Sequence, residues 1–229
     1  LKSKERNARK DIENMKKTLI FLICLFCIHI SFAQKQIVNG VVIDKQAEKI
    51  IEAVSKKITT DSPILIAYTM TIKAGNKTLE TQKGTLLSNG AKFQLKAQGF
   101  EDYCDGTNYW HYVKETSEVE LSVIDQTNNI FNFPNMIKTY TKDFRPKLIR
   151  EEETNYVIDL IPNKSTNVSK IRIISNKTTN RLKEMTIHVR EGNTYQITFT
   201  SYKPNHTTQS KDFTFPTQAY PQAEIIDLR

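Results

Sequence analysis

From residue 65 to residue 202 the chain repeatedly alternates apolar and polar side chains with a period of two. Such a pattern leaves few options besides an antiparallel sheet with one dry face and one wet face. Ile66, Tyr68, Met70 and Ile72 alternate with Ala67, Thr69 and Thr71 before the turn signal Ala74-Gly75-Asn76. Thr78 to Leu87 returns to Ser88-Asn89-Gly90, and Ala91 to Ala97 carries Phe93 and Leu95 on one face. After Asp105-Gly106 come Tyr109 to Val113 and Glu118 to Ile124, then Tyr156 to Ile161, Lys170 to Ser175, Leu182 to Arg190 and Thr194 to Tyr202. Glycine stands where tight hairpins need positive φ. A meander of nine or more such strands is expected to curl into a barrel or half-barrel.

Two segments break the period. Ala47, Ile50, Ile51, Val54 and Ile58 fall at helical spacing, with Asp44 placed to cap the first turn, so a helix is expected over 44–59. Around Pro134, Phe133, Met136, Ile137 and Tyr140 make a second apolar stripe, and a short helix is expected there. The expected fold is mainly β: an incomplete, half-open antiparallel barrel covered by helices and enclosing an apolar cavity.

Near the start, Met15-Lys16-Lys17 precedes an apolar run from Thr18 to Ile30 and the small-residue site Ser31-Phe32-Ala33. This is the pattern of a cleavable signal peptide over 15–33, its run short of the roughly 20 residues a spanning helix needs. Residues 1–14 read as an upstream extension, and 34–229 as one mature domain beginning at Gln34. Export to the periplasm is the expectation. Gln34 is not a cysteine, so the chain should not itself be lipidated.

Removing the first 33 residues leaves 26 basic and 22 acidic side chains, a net charge of about +4. That is too mild to point to nucleic acid, and no basic stripe is interleaved with aromatics. Cys104 is the only mature cysteine, so the core must hold without an internal disulfide, and a half-buried strand residue is the simpler reading of it than a catalytic thiol. His111, His188 and His206 show no metal-ligand spacing. There is no nucleophile elbow, phosphate-binding glycine loop or HExxH motif. No enzyme, metal or cofactor is expected.

If the strands pair in order, Tyr68, Met70, Ile72, Phe93, Leu95, Trp110, Tyr112, Val119 and Leu121 share one concave surface. That surface is either a filled core or the wall of a ligand cavity. The two differ in what Phe93→Ala removes: about 3–5 kcal/mol from a packed core, nearer 1–2 kcal/mol beside a cavity.

The order of elements resembles the outer-membrane lipoprotein carriers of the LolA type over nearly the whole mature chain. Carrying the resemblance are the strand Leu65 to Met70, the Gly-x-Leu element Gly84-Thr85-Leu86, and Cys104-Asp105-Gly106-Thr107-Asn108-Tyr109-Trp110-His111-Tyr112. The Pro134 helix, Phe213-Thr214-Phe215 and the closing Ile225-Ile226-Asp227-Leu228-Arg229 complete it. The resemblance implies a periplasmic carrier that shields lipoprotein acyl chains between the inner and outer membranes. Its implied partners are acylated lipoproteins, an inner-membrane lipoprotein-releasing ABC transporter and an outer-membrane acceptor. It implies lipid-binding roles for the nine residues above with Leu86, and lid roles for Ile50, Ile51, Val54, Ile58, Met136 and Ile137. A related periplasmic sensor or lipid-binding module on the same fold is the alternative, a hydrolase a more distant one. One departure stands out: where the family runs into an Arg-Pro pair that helps latch the lid, this chain reads Ser88-Asn89-Gly90.

Overall fold

The computed structural model describes residues 35–38, 41–124, 136–137, 140 and 143–229. The expected signal peptide and upstream extension lie outside them, as do Phe133 and Pro134 of the expected second helix; Met136 and Ile137 are helical.

A short hairpin, β1 (Lys35–Val38) and β2 (Val41–Asp44), leads into helix α1 (Lys45–Asp61). The Asp44 carboxylate accepts the Ala47 amide at 3.0 Å, so the cap expected from sequence is present. Twelve further strands form one open sheet: β3 (Ile64–Ala74), β4 (Lys77–Asn89), β5 (Lys92–Lys96), β6 (Phe100–Cys104), β7 (Asn108–Val113), β8 (Glu118–Val123), β9 (Phe144–Glu151), β10 (Asn155–Pro162), β11 (Val168–Asn176), β12 (Leu182–Val189), β13 (Thr194–Lys203) and β14 (Glu224–Asp227). Their order is β14-β8-β7-β6-β5-β4-β3-β13-β12-β11-β10-β9, so the chain lays down one half from β3 outward and the other half back toward it. All neighbours are antiparallel except β14, which joins β8 in parallel. The sheet does not close, so β9 and β14 are edges. Gly75 and Gly90 sit at positive φ in the β3–β4 and β4–β5 turns, as the hairpins require.

One face of the sheet, here the inner face, carries the main core. Across it Leu148, Ile158, Ile173, Met185, Ile197 and Met70 pair in a row from β9 to β3. The stripe of α1 packs onto this core: Ala47, Ile51 and Val54 are fully buried, and Ile50 and Ile58 nearly so. The outer face has its own cluster over β6–β8. There Tyr103, Tyr112 and Val119 are buried under Phe215, with Trp110, Tyr220 and Ala223 at the margin. The C-terminal segment supplies that cover through 3-10 turns at Ser210–Phe213 and Thr217–Ala219, and Gln94 donates to the Asp212 carbonyl at 2.8 Å.

Several strands escape a reading of periodicity, β6 and β9 among them. Phe100–Cys104 places Glu101 and Asp102 side by side, and Phe144–Glu151 carries Arg145, Pro146, Lys147, Arg150 and Glu151. Charge and proline are tolerated in β9 because it is an edge strand.

Candidate functional site

The inner face brings together Tyr68, Met70, Leu86, Phe93 and Leu95, all buried, with Ile72 packed against them. Ile50, Ile51, Val54, Ile58 and Ile137 belong to the same core, and Met136 lies against it. Trp110, Tyr112, Val119 and Leu121 do not join them, which corrects the single shared surface expected from sequence. Tyr103 pairs with Trp110, Trp110 with Leu121, and Tyr112 with Val119, and this set faces outward with Phe215. The reason is strand parity. Periodicity tells which residues of one strand share a face, but β6 intervenes between β5 and β7 and sets which face of β7 continues that of Phe93. Through Cys104, the residue continuing the Phe93 row is Tyr109, not Trp110.

The next inner-face row runs Ile66, Leu86, Leu95, Asp102, His111, Glu120. It is apolar as far as β5 and polar beyond. Asp102 is 1% exposed and meets His111 Nδ1 at 2.7 Å. The hydrogen bond to Asp102 pushes the His111 imidazole above its ordinary pKa against the opposing effect of burial, and Glu120 adds to the rise. Burial, then the charge of Asp102, raises Tyr68 to about 12 and moves Tyr109 upward as well, so both phenols stay protonated around the carboxylate. Burial pushes the Cys104 thiol up to about 11, away from the thiolate form that a reactive cysteine needs.

Carboxylates tie both ends of α1 to the sheet. At its start the second oxygen of Asp44 accepts the Leu148 amide of edge strand β9 at 2.9 Å. At its end Asp61, 4% exposed, is bridged by Lys57 at 2.8 Å and by Arg181 of the β11–β12 turn at 3.2 Å. The Arg181 guanidinium also stacks over the Tyr202 ring of β13, 4.6 Å from its centroid. Burial alone would raise Asp61, but its cationic partners outweigh it and hold the carboxyl below the ordinary range. Asp61→Asn is therefore expected to remove about 1–3 kcal/mol of stability, less than a fully buried pair because Lys57 and Arg181 each keep about a third of their surface in water. Hydrogen exchange should show the loss first in the last turns of α1. Uniform loss of protection across the sheet would mean that helix and sheet open only together.

Shallow grooves among the described residues lie on β3–β5 and beneath the C-terminal segment. One, of about 670 Å³, is lined by Thr69, Lys83, Gly84, Thr85 and Thr200; the other, of about 410 Å³, by Lys96, Tyr103, Lys211 and Phe215. No three metal-ligating side chains cluster among the described residues. No described helix is long and apolar enough to cross a membrane.

An open antiparallel sheet whose apolar inner face is covered by a helix tied at both ends is the architecture of a carrier or binding fold. The family model described as outer membrane lipoprotein carrier protein LolA matches residues 69–216. The chain belongs to the LolA family. No curated protein matches the sequence. Among solved structures, an uncharacterized conserved protein from Thermus thermophilus is similar at 12% identity and a TM-score of 0.50, covering 80% of this chain and 99% of its own. A LolA superfamily protein from Nitrosomonas europaea aligns at 14% identity and a TM-score of 0.44, covering 74% of this chain and 97% of its own. At 12% identity the first of these likenesses is one of fold alone.

Proposed function

We propose that this protein is a periplasmic carrier that takes up lipoprotein acyl chains between the inner face of its sheet and helix α1. On this reading residues 15–33 are a signal peptide, Gln34 is the mature N-terminus, and α1 with the Met136–Ile137 segment is the lid. The donor would be an inner-membrane lipoprotein-releasing ABC transporter and the acceptor the outer membrane or a receptor on it. The observation that carries the proposal is the attachment of α1. An isoleucine-rich stripe lies on an apolar sheet face and is fastened by ion pairs and hydrogen bonds at its two ends. Such a cover can lift without breaking the sheet.

The energetics suit a carrier. Each buried CH₂ of an acyl chain gains roughly 0.8 kcal/mol, so a chain of about 16 carbons gains on the order of 10 kcal/mol and cannot be released into water at a useful rate. It must pass from one apolar surface to another, and an exchangeable helix stripe is a suitable surrogate for the chain. The Asp61–Arg181–Tyr202 cluster would hold the lid where the family's Arg-Pro pair is missing. Mass spectrometry of the exported protein under non-denaturing conditions should find a polypeptide beginning at Gln34 with acylated lipid or lipoprotein bound. A chain that retains its apolar leader, or one that carries no acyl species after expression with a lipoprotein substrate, would overturn the proposal.

A further inference from the structure

The outer face of the sheet from β5 across to β9 is cationic. Lys147 of β9 and Arg172 of β11 stand in one row of that face, and Lys170 of β11 and Lys73 of β3 share another. Lys83 of β4 and Lys96 of β5 extend it on the far side of β3. The carboxylates that these strands turn outward are Asp159 and Glu184. Asp159 is 4% exposed and is bridged by Arg172 at 2.7 Å and by Lys170 at 3.0 Å, so this trio still leaves a positive charge. Threonines fill the places between the cations, Thr69, Thr71 and Thr81 near the centre and Thr85 beside Lys96. Leu79 and Ile149, the large apolar side chains exposed on these strands, sit at the bulges of β4 and β9, outside the paired rows. The acids collect elsewhere. Glu118 and Glu120 of β8 and Glu224 of β14 lie on the inner face at the opposite end of the sheet, where Glu224 pairs directly with Glu118.

We propose that this outer face docks the protein on a bilayer rich in anionic phospholipid. Headgroup phosphates form a fluid layer without fixed positions. Spaced ammonium groups among hydroxyl donors can meet such a layer in any register, each cation adding its own attraction. At about 4.8 Å between strands, β5 to β9 spread these groups over roughly 35 Å, far wider than one small anion needs. A protein partner leaves a different mark, since such interfaces centre on buried apolar side chains, and the paired rows here expose no large one. The separation of charge also orients the encounter. An anionic surface attracts the outer face and repels the carboxylates of β8 and β14. Helix α1 covers the opposite, inner face, so docking leaves it free to lift toward a partner. The inference rests on the charge map and holds whatever the cargo is.

Cosedimentation of the exported protein with vesicles tests it, comparing phosphatidylcholine alone with an equimolar mixture of phosphatidylcholine and phosphatidylglycerol. Binding should favour the mixed vesicles and fade as added salt shortens the Debye length. Lys83→Gln combined with Lys96→Gln should weaken it about twentyfold, at about fivefold for each cation withdrawn from the headgroup layer. Both side chains are exposed, so the denaturation midpoint should not move. Lys49→Gln combined with Lys56→Gln removes the same charge from exposed positions of α1, and should leave binding within about twofold of the unaltered protein. Equal binding to the two kinds of vesicle, or equal weakening by the two double variants, overturns the docking face. Retention on polyglutamate without binding to the mixed vesicles would assign the face to an acidic protein and overturns it as well. Mass spectrometry of bound lipid decides the cargo separately, so either proposal can fail while the other stands.

Discussion

Phe93→Ala should lower the free energy of unfolding by about 3–5 kcal/mol, the loss expected of a large side chain taken from a close-packed core. The ring is 1% exposed, and on β5 it stands between Ser88 of β4 and Cys104 of β6. The Tyr109 ring lies 6.2 Å away, and the rest of the inner-face cluster surrounds it. Alanine would leave a hole that neighbouring strands cannot close, because their spacing is fixed by backbone hydrogen bonds on both sides of β5. The sequence and its family resemblance lead instead to the smaller loss, about 1–2 kcal/mol, expected of a ring lining a pre-formed cavity. Burial of the ring on all sides moves the expectation to the larger figure. Any space for a ligand must then come from displacement of the cover, not from a void beside Phe93. Chemical denaturation with an unchanged m-value measures the loss, and a value under about 2 kcal/mol would mean that the ring has an empty side.

The same residues show what could be read from the sequence and what could not. Helix α1 was legible because its stripe, its polar face and its cap are all local: Asp44 caps an amide three residues away. The strands β3, β4, β5, β7, β8 and β10–β13 were legible because each alternates strongly enough to be seen by itself. Strand β6 was not, since Glu101 and Asp102 imitate a loop. The partners that make them tolerable are distant in sequence or hidden by the fold. Glu101 on the outer face is satisfied by Tyr103, Lys114 and Tyr220, and Asp102 on the inner face by His111. Missing that one strand inverted the assigned face of Trp110, Tyr112, Val119 and Leu121, because side-chain direction alternates strictly and parity is carried from strand to strand by register. The polar end of the inner row was illegible for the same reason. His111 reads as an isolated strand histidine until β6 places Asp102 beside it. The helix latch was hidden as well, since Asp61 and Arg181 are brought together only by the meeting of the sheet's two halves at β3 and β13.

Gly84→Ala should be nearly as damaging as the loss of Phe93, although it adds a single methyl group to a strand. Gly84 belongs to the Gly-x-Leu element that ties the sequence to its family, and it pairs directly with Tyr68 across β3 and β4. A Cβ at this position would fall inside the contact distance of the Tyr68 hydroxyl and ring, and 2.6 Å from the backbone carbonyl of Lys96. The phenol therefore lies across the bare backbone of Gly84, and the glycine is needed for the room it leaves, not for an unusual φ. Tyr68 is 5% exposed and Lys96 O is fixed by the pairing of β4 with β5, so neither can retreat freely. The expected loss is about 3 kcal/mol, at the upper end for overpacking a well-filled site. The two obstacles can be separated. Tyr68→Ala removes the ring but leaves the carbonyl, so Gly84→Ala should be less harmful in that background, with a coupling of about 1 kcal/mol or more in a double-mutant cycle. Denaturation midpoints of the four proteins provide the measurement. Simple additivity would show that the Lys96 carbonyl alone excludes a side chain at Gly84, and a loss below about 1 kcal/mol for the single variant would show that the close approach of Tyr68 to this strand is dispensable.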